Sequence, residues 1–255
     1  MTGTLSEMPN LGVGRYALYF APEPGNPWWE AGLSWLGSDP VTGAAYPRLQ
    51  VPELHDEEWQ RITDAPRFYG WHATIKAPFA LAEGVSEDDL LRRVGEFCAE
   101  RRGFDLPGLS VEPLHGFLAL RLVAPSPELE ALAADCVQGL DDLRRPLSPA
   151  DLLRREEAGL TPRQRDLLHT WGYPYVLEQF RFHLSLTGRL PVEQRTRLAA
   201  TLSDVWAPLT RRRVPVTGLC VFHQSERTAP FRLRWRVRWD GQIEAQRGGE
   251  GALLA

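Results

Sequence analysis

The 255-residue sequence contains only three cysteines, Cys98, Cys136 and Cys220. They are odd in number, scattered, and include no C-x-x-C pair, which excludes a disulfide framework and the common cysteine-rich zinc patterns. No apolar run approaches the roughly 20 residues that a bilayer-spanning helix needs. The N-terminal stretch has no secretory apolar core either. Together these absences predict a reducing, cytoplasmic setting with no membrane partner. Bulk basicity is also missing: 29 Lys and Arg stand against 33 Asp and Glu, a formal net charge of −4. The overall charge therefore calls for neither nucleic acid nor lipid. No G-x-x-x-x-G-K-[ST] loop occurs, so nucleotide hydrolysis of the P-loop kind is not expected.

What remains is a composition with 43% hydrophobic and 24% charged residues, enough for one large core or two lobes sharing an interface. A β-rich run, Arg15–Ala21, ends at the proline-rich Pro22–Pro27. The pattern then predicts a helix over Trp28–Leu36 and a Gly/Pro-punctuated loop to about Pro52. A strand is expected at 70–77. Ser86 caps a helix over about 87–102, with Asp88 and Asp89 in its first turn and Arg101 and Arg102 in its last. Leu109–Pro113 and Phe117–Val123 read as paired strands around His115-Gly116. Pro127–Leu143 has helical period. Two N-cap signals, Ser148-Pro149 and Thr161-Pro162, mark a helical insertion at about 144–178.

A strand at Gln179–Gly188, a helix from Val192 to near Trp206, and strands at Val214–Phe222 and Phe231–Trp239 complete the order. In the last strand, alternation puts Leu233, Trp235, Val237 and Trp239 on one face and Arg232, Arg234, Arg236 and Arg238 on the other. The second half repeats the first in outline. The expected fold is α+β: two pseudo-symmetric lobes with antiparallel sheets, an active cleft between them, and the insertion. Lobe one covers about 15–143 and lobe two about 179–240, with residues 1–14 and 241–255 as flexible termini.

Two stretches carry the chemistry: W-H-A-T-I-K at 71–76 and F-H-L-S-L-T at 182–187. Strand alternation places His72, Thr74 and Lys76 on one face and Trp71, Ala73 and Ile75 on the other. The same rule groups His183, Ser185 and Thr187 opposite Phe182, Leu184 and Leu186. Buried imidazoles and hydroxyls need partners, and a single H-x-[ST] would read as a satisfied core or surface pattern. Two copies in similar settings suggest a shared task. Two imidazoles across a cleft divide general-base and general-acid work near neutral pH. Hydroxyls two residues along would donate to phosphoryl oxygens, and Lys76 would add a positive charge.

These motifs resemble the signatures of the 2H phosphoesterase superfamily, which includes RNA-ligase-like and cyclic-nucleotide phosphodiesterases. R-Y-A-L-Y-F-A-P (15–22), R-F-Y-G-W-H-A-T-I-K-A-P-F (67–79), F-R-F-H-L-S-L-T-G-R-L (180–190) and R-T-A-P-F-R-L (227–233) are similar to a branch linked to phosphonate metabolism. The resemblance covers about 15–240. It implies the bilobal 2H fold, catalytic His72 and His183, and phosphate binding by Thr74 and Ser185. The implied reaction is metal-independent hydrolysis of a cyclic phosphodiester, with neither cofactor nor metal. The partner would be a small phosphorylated substrate: a ribose cyclic phosphate, a 2′,3′-cyclic nucleotide or an RNA end. A module that binds a phosphorylated sugar or nucleotide without turnover is the alternative.

Further candidates are weaker. Tyr16 and Tyr19 fall on opposite faces of the first strand, and Tyr19, between the small Ala17 and Ala21, is the better choice for the cleft. Tyr69 sits at the mouth of the first histidine strand. Arg121 lies mid-strand, where a charge needs a partner or a wet cleft. Lys76 and Thr187 complete the expected substrate-binding set. Gln224 and Arg227 read as turn residues, and His55, His115, His169 and His223 as structural or surface residues. His72 and His183 lack a nearby Asp, Glu or H-x-x-x-H companion, which argues against zinc.

Overall fold

The computed structural model describes residues 14–52, 54–157, 159–210 and 212–247. The expectations for residues 1–13 and 248–255 therefore lie outside the described residues. The strands are β1 (Arg15–Phe20), β2 (Ala73–Phe79), β3 (Phe104–Leu106), β4 (Leu109–Leu114), β5 (Phe117–Leu122), β6 (Leu184–Ser185), β7 (Val214–Val216), β8 (Gly218–Gln224), β9 (Arg232–Arg238) and β10 (Ile243–Ala245). The helices are α1 (Pro27–Leu36), α2 (Asp56–Tyr69), α3 (Glu87–Ala99), α4 (Pro127–Gly139), α5 (Pro149–Glu156), α6 (Pro162–Trp171) and α7 (Val192–Thr210).

Most helix starts follow their caps. Ser86 and Asp89 form a reciprocal capping box on α3, as do Thr161 and Gln164 on α6. Both α5 and α6 carry proline at the first helical position, where the missing N–H costs nothing. Helix α3 stops at Ala99, short of Arg101 and Arg102. Arg101 still serves its end by donating to the Phe97 carbonyl at 2.6 Å. Sequence reasoning overlooked α2, although Asp56, Glu57 and Glu58 load its first turn in the sense that the helix dipole favours.

The sheets are antiparallel, and the protein is α+β. A five-stranded sheet runs β10-β9-β8-β1-β2, a three-stranded sheet runs β4-β5-β6, and β3 pairs with β7. Helices α3 and α4 pack on the large sheet, and α7 on β4 and β5. The strands are exchanged between the two halves of the chain. β1 pairs with the C-terminal β8 and carries β2 at its other edge, while β5 pairs with β6 and carries β4 at its other edge. A division into 15–143 and 179–240 therefore does not match sheet membership, because each larger sheet draws strands from both stretches. The segment expected as one strand at Val214–Phe222 is split between two sheets. The segment expected to fray after Trp239 returns to pair as β10.

Bulges correct two alternation arguments. Tyr19 pairs with Thr74, yet the next residue, Leu18, pairs with Lys76. The extra residue, Ile75, turns Lys76 away from the face of Thr74. In the β8–β9 pair, a register shift between Val221 and Phe222 moves Leu233 onto the partner position of Phe222 and Trp235 onto that of Val221. The apolar face expected along β9 is thus broken. Arg236 is buried, donates to the Ala21 and Pro22 carbonyls, and lies over the Trp29 ring.

Trp71, just before β2, anchors the core beneath the first histidine motif. Its ring is fully buried and stacks on Trp206 with centroids 5.5 Å apart. Its indole N–H donates to the Trp28 carbonyl at 3.0 Å. Gly32 makes room for it, since a Cβ there would overlap the indole. Replacing Trp71 with alanine should lower unfolding stability by about 3–5 kcal/mol, measured by denaturant titration. A loss below about 1 kcal/mol would show that the stack is not a core element.

Candidate active site

The two motif histidines share one local arrangement. His72 and His183 are half-buried, and each Nδ1 lies beside the backbone carbonyl two residues earlier, Gly70 at 2.9 Å and Arg181 at 2.7 Å. A carbonyl only accepts, so each Nδ1 carries the proton, and each neutral ring keeps its lone pair on Nε2. Nε2 of His72 stands 3.4 Å from the Thr74 hydroxyl. Gly70, at φ 78°, supplies a left-handed backbone at the point where the chain leaves α2 for the histidine.

Aromatic rings hold His72 in place. Tyr19 stacks on it with centroids 3.8 Å apart and planes 21° from parallel, and Phe222 closes in at 6.0 Å. Of the two β1 tyrosines, Tyr19 is the one on the histidine side. Tyr16 points oppositely and donates to Glu87 on α3 at 2.7 Å. The space expected beside Ala17 and Ala21 is filled, because Tyr19 is buried among His72, Phe222 and Phe231. Tyr19 therefore supports the imidazole from behind. Tyr69 is exposed, stacks on Phe231 at 5.4 Å and lies 6.2 Å from His72.

Around His183 the register places the neighbours. Ser185 pairs with Ala119 and Leu184 with Leu120, so one further step sets His183 across from Arg121. Phe117, on the same face of β5, has its ring 5.6 Å from the imidazole. Arg121 donates to Glu112 at 2.9 Å, while its Nε is buried with no partner among the described residues.

Two expected members are engaged elsewhere. Lys76, turned by the bulge, donates to the Val137 carbonyl at 2.9 Å and pairs with Asp141 at 3.3 Å, bracing the C-terminal end of α4. Thr187 is buried; its hydroxyl accepts from the Leu118 N–H at 3.0 Å and donates to Gly188 O at 2.8 Å. Neither side chain is available to a phosphate. Conversely, Gln224 is more than a turn residue. It is fully buried, accepts from Arg15 Nε at 2.8 Å, and donates to the Arg227 and Ala229 carbonyls. Arg15, Phe117, Phe222 and Phe231 went unnoticed as site neighbours, because only strand pairing brings them there. Among the described residues, no three His, Cys, Asp or Glu side chains converge as a metal-binding group.

Burial lowers the pKa of both imidazoles. His72 falls from the ordinary 6.5 to about 4, through burial and the nearby His183, against the Gly70 carbonyl that favours the charged ring. His183 is lowered by burial, with Arg121 and His115 adding repulsion and the Arg181 carbonyl opposing. As pH falls below 6.5 the unfolded chain takes up the His72 proton first, so stability drops until pH passes about 4. His72→Gln should flatten that part of the pH dependence, measured by urea unfolding at about pH 7 and about pH 5. An unchanged difference between the two conditions would refute the buried, neutral imidazole.

The chain matches, over residues 74–232, the family model described as "Protein of unknown function (DUF1045)". It is 44% identical over 235 residues to a protein of Janthinobacterium sp. (strain Marseille) named "Ribose 1,5-bisphosphate phosphokinase PhnN", covering 90% of this chain and 52% of that one. A protein of the same name from Laribacter hongkongensis (strain HLHK9) is 37% identical over 233 residues, covering 88% of this chain and 52% of the relative. The chain thus spans about half the length of the curated relatives it matches. The family match takes in the second histidine motif and begins within the first, and on that extent the chain belongs to the DUF1045 family.

Proposed function

We propose that the chain is a metal-independent phosphodiesterase of the two-histidine type, built on the bilobal 2H phosphoesterase plan, that opens a cyclic phosphodiester on ribose. The observation that carries this reading is the paired tautomer lock. Both motif histidines donate Nδ1–H to the carbonyl two residues before them, leaving both Nε2 atoms for proton transfer. In the proposed reaction water attacks phosphorus, one imidazole Nε2 takes the water proton, and the other gives a proton to the departing sugar oxygen. The product is an open phosphomonoester. Thr74 and Ser185 donate to the non-bridging oxygens.

The pKa directions favour one division of the roles. His72, pushed to about 4, stays neutral and serves as base. His183 takes up the acid's proton as the anionic phosphate binds and raises its pKa. The kinase activity in the relatives' name fits the half of those proteins that this chain does not span, since no P-loop motif occurs in this sequence. Opening a ribose cyclic phosphate that bears a 5-phosphate would supply a ribose bisphosphate, the compound in that name. This supports a role in phosphonate metabolism, in line with the branch that the motifs resemble.

Turnover of 2′,3′-cyclic nucleotides and ribose cyclic phosphates, followed by phosphate-ester analysis, tests the proposal. His72→Ala and His183→Ala should each lose about 10²–10⁴-fold in kcat, and the double variant should be little worse than the poorer single one. Thr74→Ala and Ser185→Ala should be milder. Binding of these ligands without turnover would instead identify a recognition module. Activity should persist in excess chelator, because the motifs offer too few metal ligands. Loss in chelator with recovery on added zinc or manganese would overturn the acid–base assignment.

A further inference from the structure

A cavity of about 330 Å³ lies beside the candidate site, lined by Arg15, Arg144, Arg145, Arg154, Arg155 and Arg227. One carboxylate, Asp151, shares it and is already held by Arg154 at 2.6 Å and Arg227 at 2.9 Å. Arg144 pairs with Asp141 at 2.9 Å. Among the described residues, no carboxylate pairs with Arg15, Arg145 or Arg155. The Arg155 Nε is buried without a hydrogen-bond partner. Burial and the Arg227 charge push the Arg15 pKa down. Burial does the same to Arg155, with Arg154 and Arg227 adding repulsion. The half-buried Arg15 and Arg155 guanidinium groups, left without anions, have a desolvation cost, which an incoming anion would offset.

The cavity and His72 are two ends of one wall. Arg15 and Tyr19 share a face of β1 and stand four residues apart, about 13 Å along the strand. The Arg15 guanidinium lies 5.5 Å from the Phe231 ring centroid. Phe231 in turn meets Tyr69 and Tyr19, two of the rings around His72. Gln224 holds Arg15 in this position from β8. The helical segment that follows α4 supplies Ser148, Asp151, Arg154 and Arg155 to the opposite wall.

We infer that this cavity binds a phosphomonoester, and that the substrate is a sugar cyclic phosphate carrying a second, terminal phosphate. The cyclic-phosphate half of that statement rests on the two-histidine reading; the cavity half does not. A monoester brings a charge of about −1.5 to −2 and three acceptor oxygens, which suits forked guanidinium donors. An internal phosphodiester of RNA brings one charge, and a strand would require a groove that tracks its backbone.

Two measurements separate the parts. Calorimetric titration with ribose 5-phosphate should show binding that Arg155→Gln and Arg145→Gln each weaken about tenfold or more. That binding should persist in the His72→Ala/His183→Ala double variant. Arg145 is exposed, so its variant keeps the test valid if Arg155→Gln fails to fold. In the second measurement, kcat/KM for ribose 1,2-cyclic phosphate should rise about tenfold or more when a 5-phosphate is present. Arg155→Gln should move that ratio toward one. Ribose 5-phosphate binding indifferent to both arginine substitutions would overturn the pocket, as would preference for an RNA oligonucleotide with a cyclic end. Absence of turnover on every cyclic phosphate, with the titration as expected, would overturn the two-histidine reading and leave the phosphomonoester site standing.

Discussion

Burial of Trp71 sets the direction in which His72 points. The indole is locked between Trp206 and the space left by Gly32, with its N–H on the Trp28 carbonyl. Successive side chains in extended backbone leave on opposite sides, so an indole driven into the core turns the next residue outward. The backbone then carries His72 to the polar side, where Tyr19 backs the ring and Gly70 accepts its Nδ1 proton. Phe182 does the same for His183. It is buried against Phe20, and the following imidazole is turned toward the face of Arg121 and Ser185. Apolar burial on one side thus orients the polar chemistry on the other.

Alternation is interrupted where the chain needs the next polar group elsewhere. The bulge at Ile75 lets Thr74 stay with His72 and sends Lys76 to the far side of the sheet, into the end of α4. An ammonium that deep would be costly unless bonded. The Val137 carbonyl and the Asp141 carboxylate together satisfy it. The same logic governs β9, where a register shift takes Arg236 inside and the Ala21 and Pro22 carbonyls receive it.

Electrostatics divide the site into two regions of different character. Around the histidines, burial suppresses charge, and both rings are neutral near pH 7. A short distance along β1 the guanidinium groups of the arginine cavity stand close together with one carboxylate among those lining it. A neutral histidine region beside a positive recess would suit the anion proposed above, bound at one end and reacting at the other. The two meet through the Phe231, Tyr69 and Tyr19 rings.

The sequence by itself determined most local structure: the capped starts of α3, α5 and α6, the β4–β5 hairpin, the α+β class and the two histidine motifs. Caps, turns and alternation act between residues close in the chain, so a single sequence displays them. Pairing partners are set by contacts far apart in sequence, and the exchange of strands between the two halves was invisible for that reason. The bulges belong with it, because an extra residue is defined only against a partner strand. That is why Lys76 and Arg236 were assigned to the wrong faces and Thr187 to the wrong task. The arginine cavity was decided by tertiary structure alone. Arg15, Arg227 and the insertion's Arg145 and Arg155 come from three stretches remote in sequence, and only the packing of the helical insertion against β1 and the β8–β9 turn brings their charges to one recess.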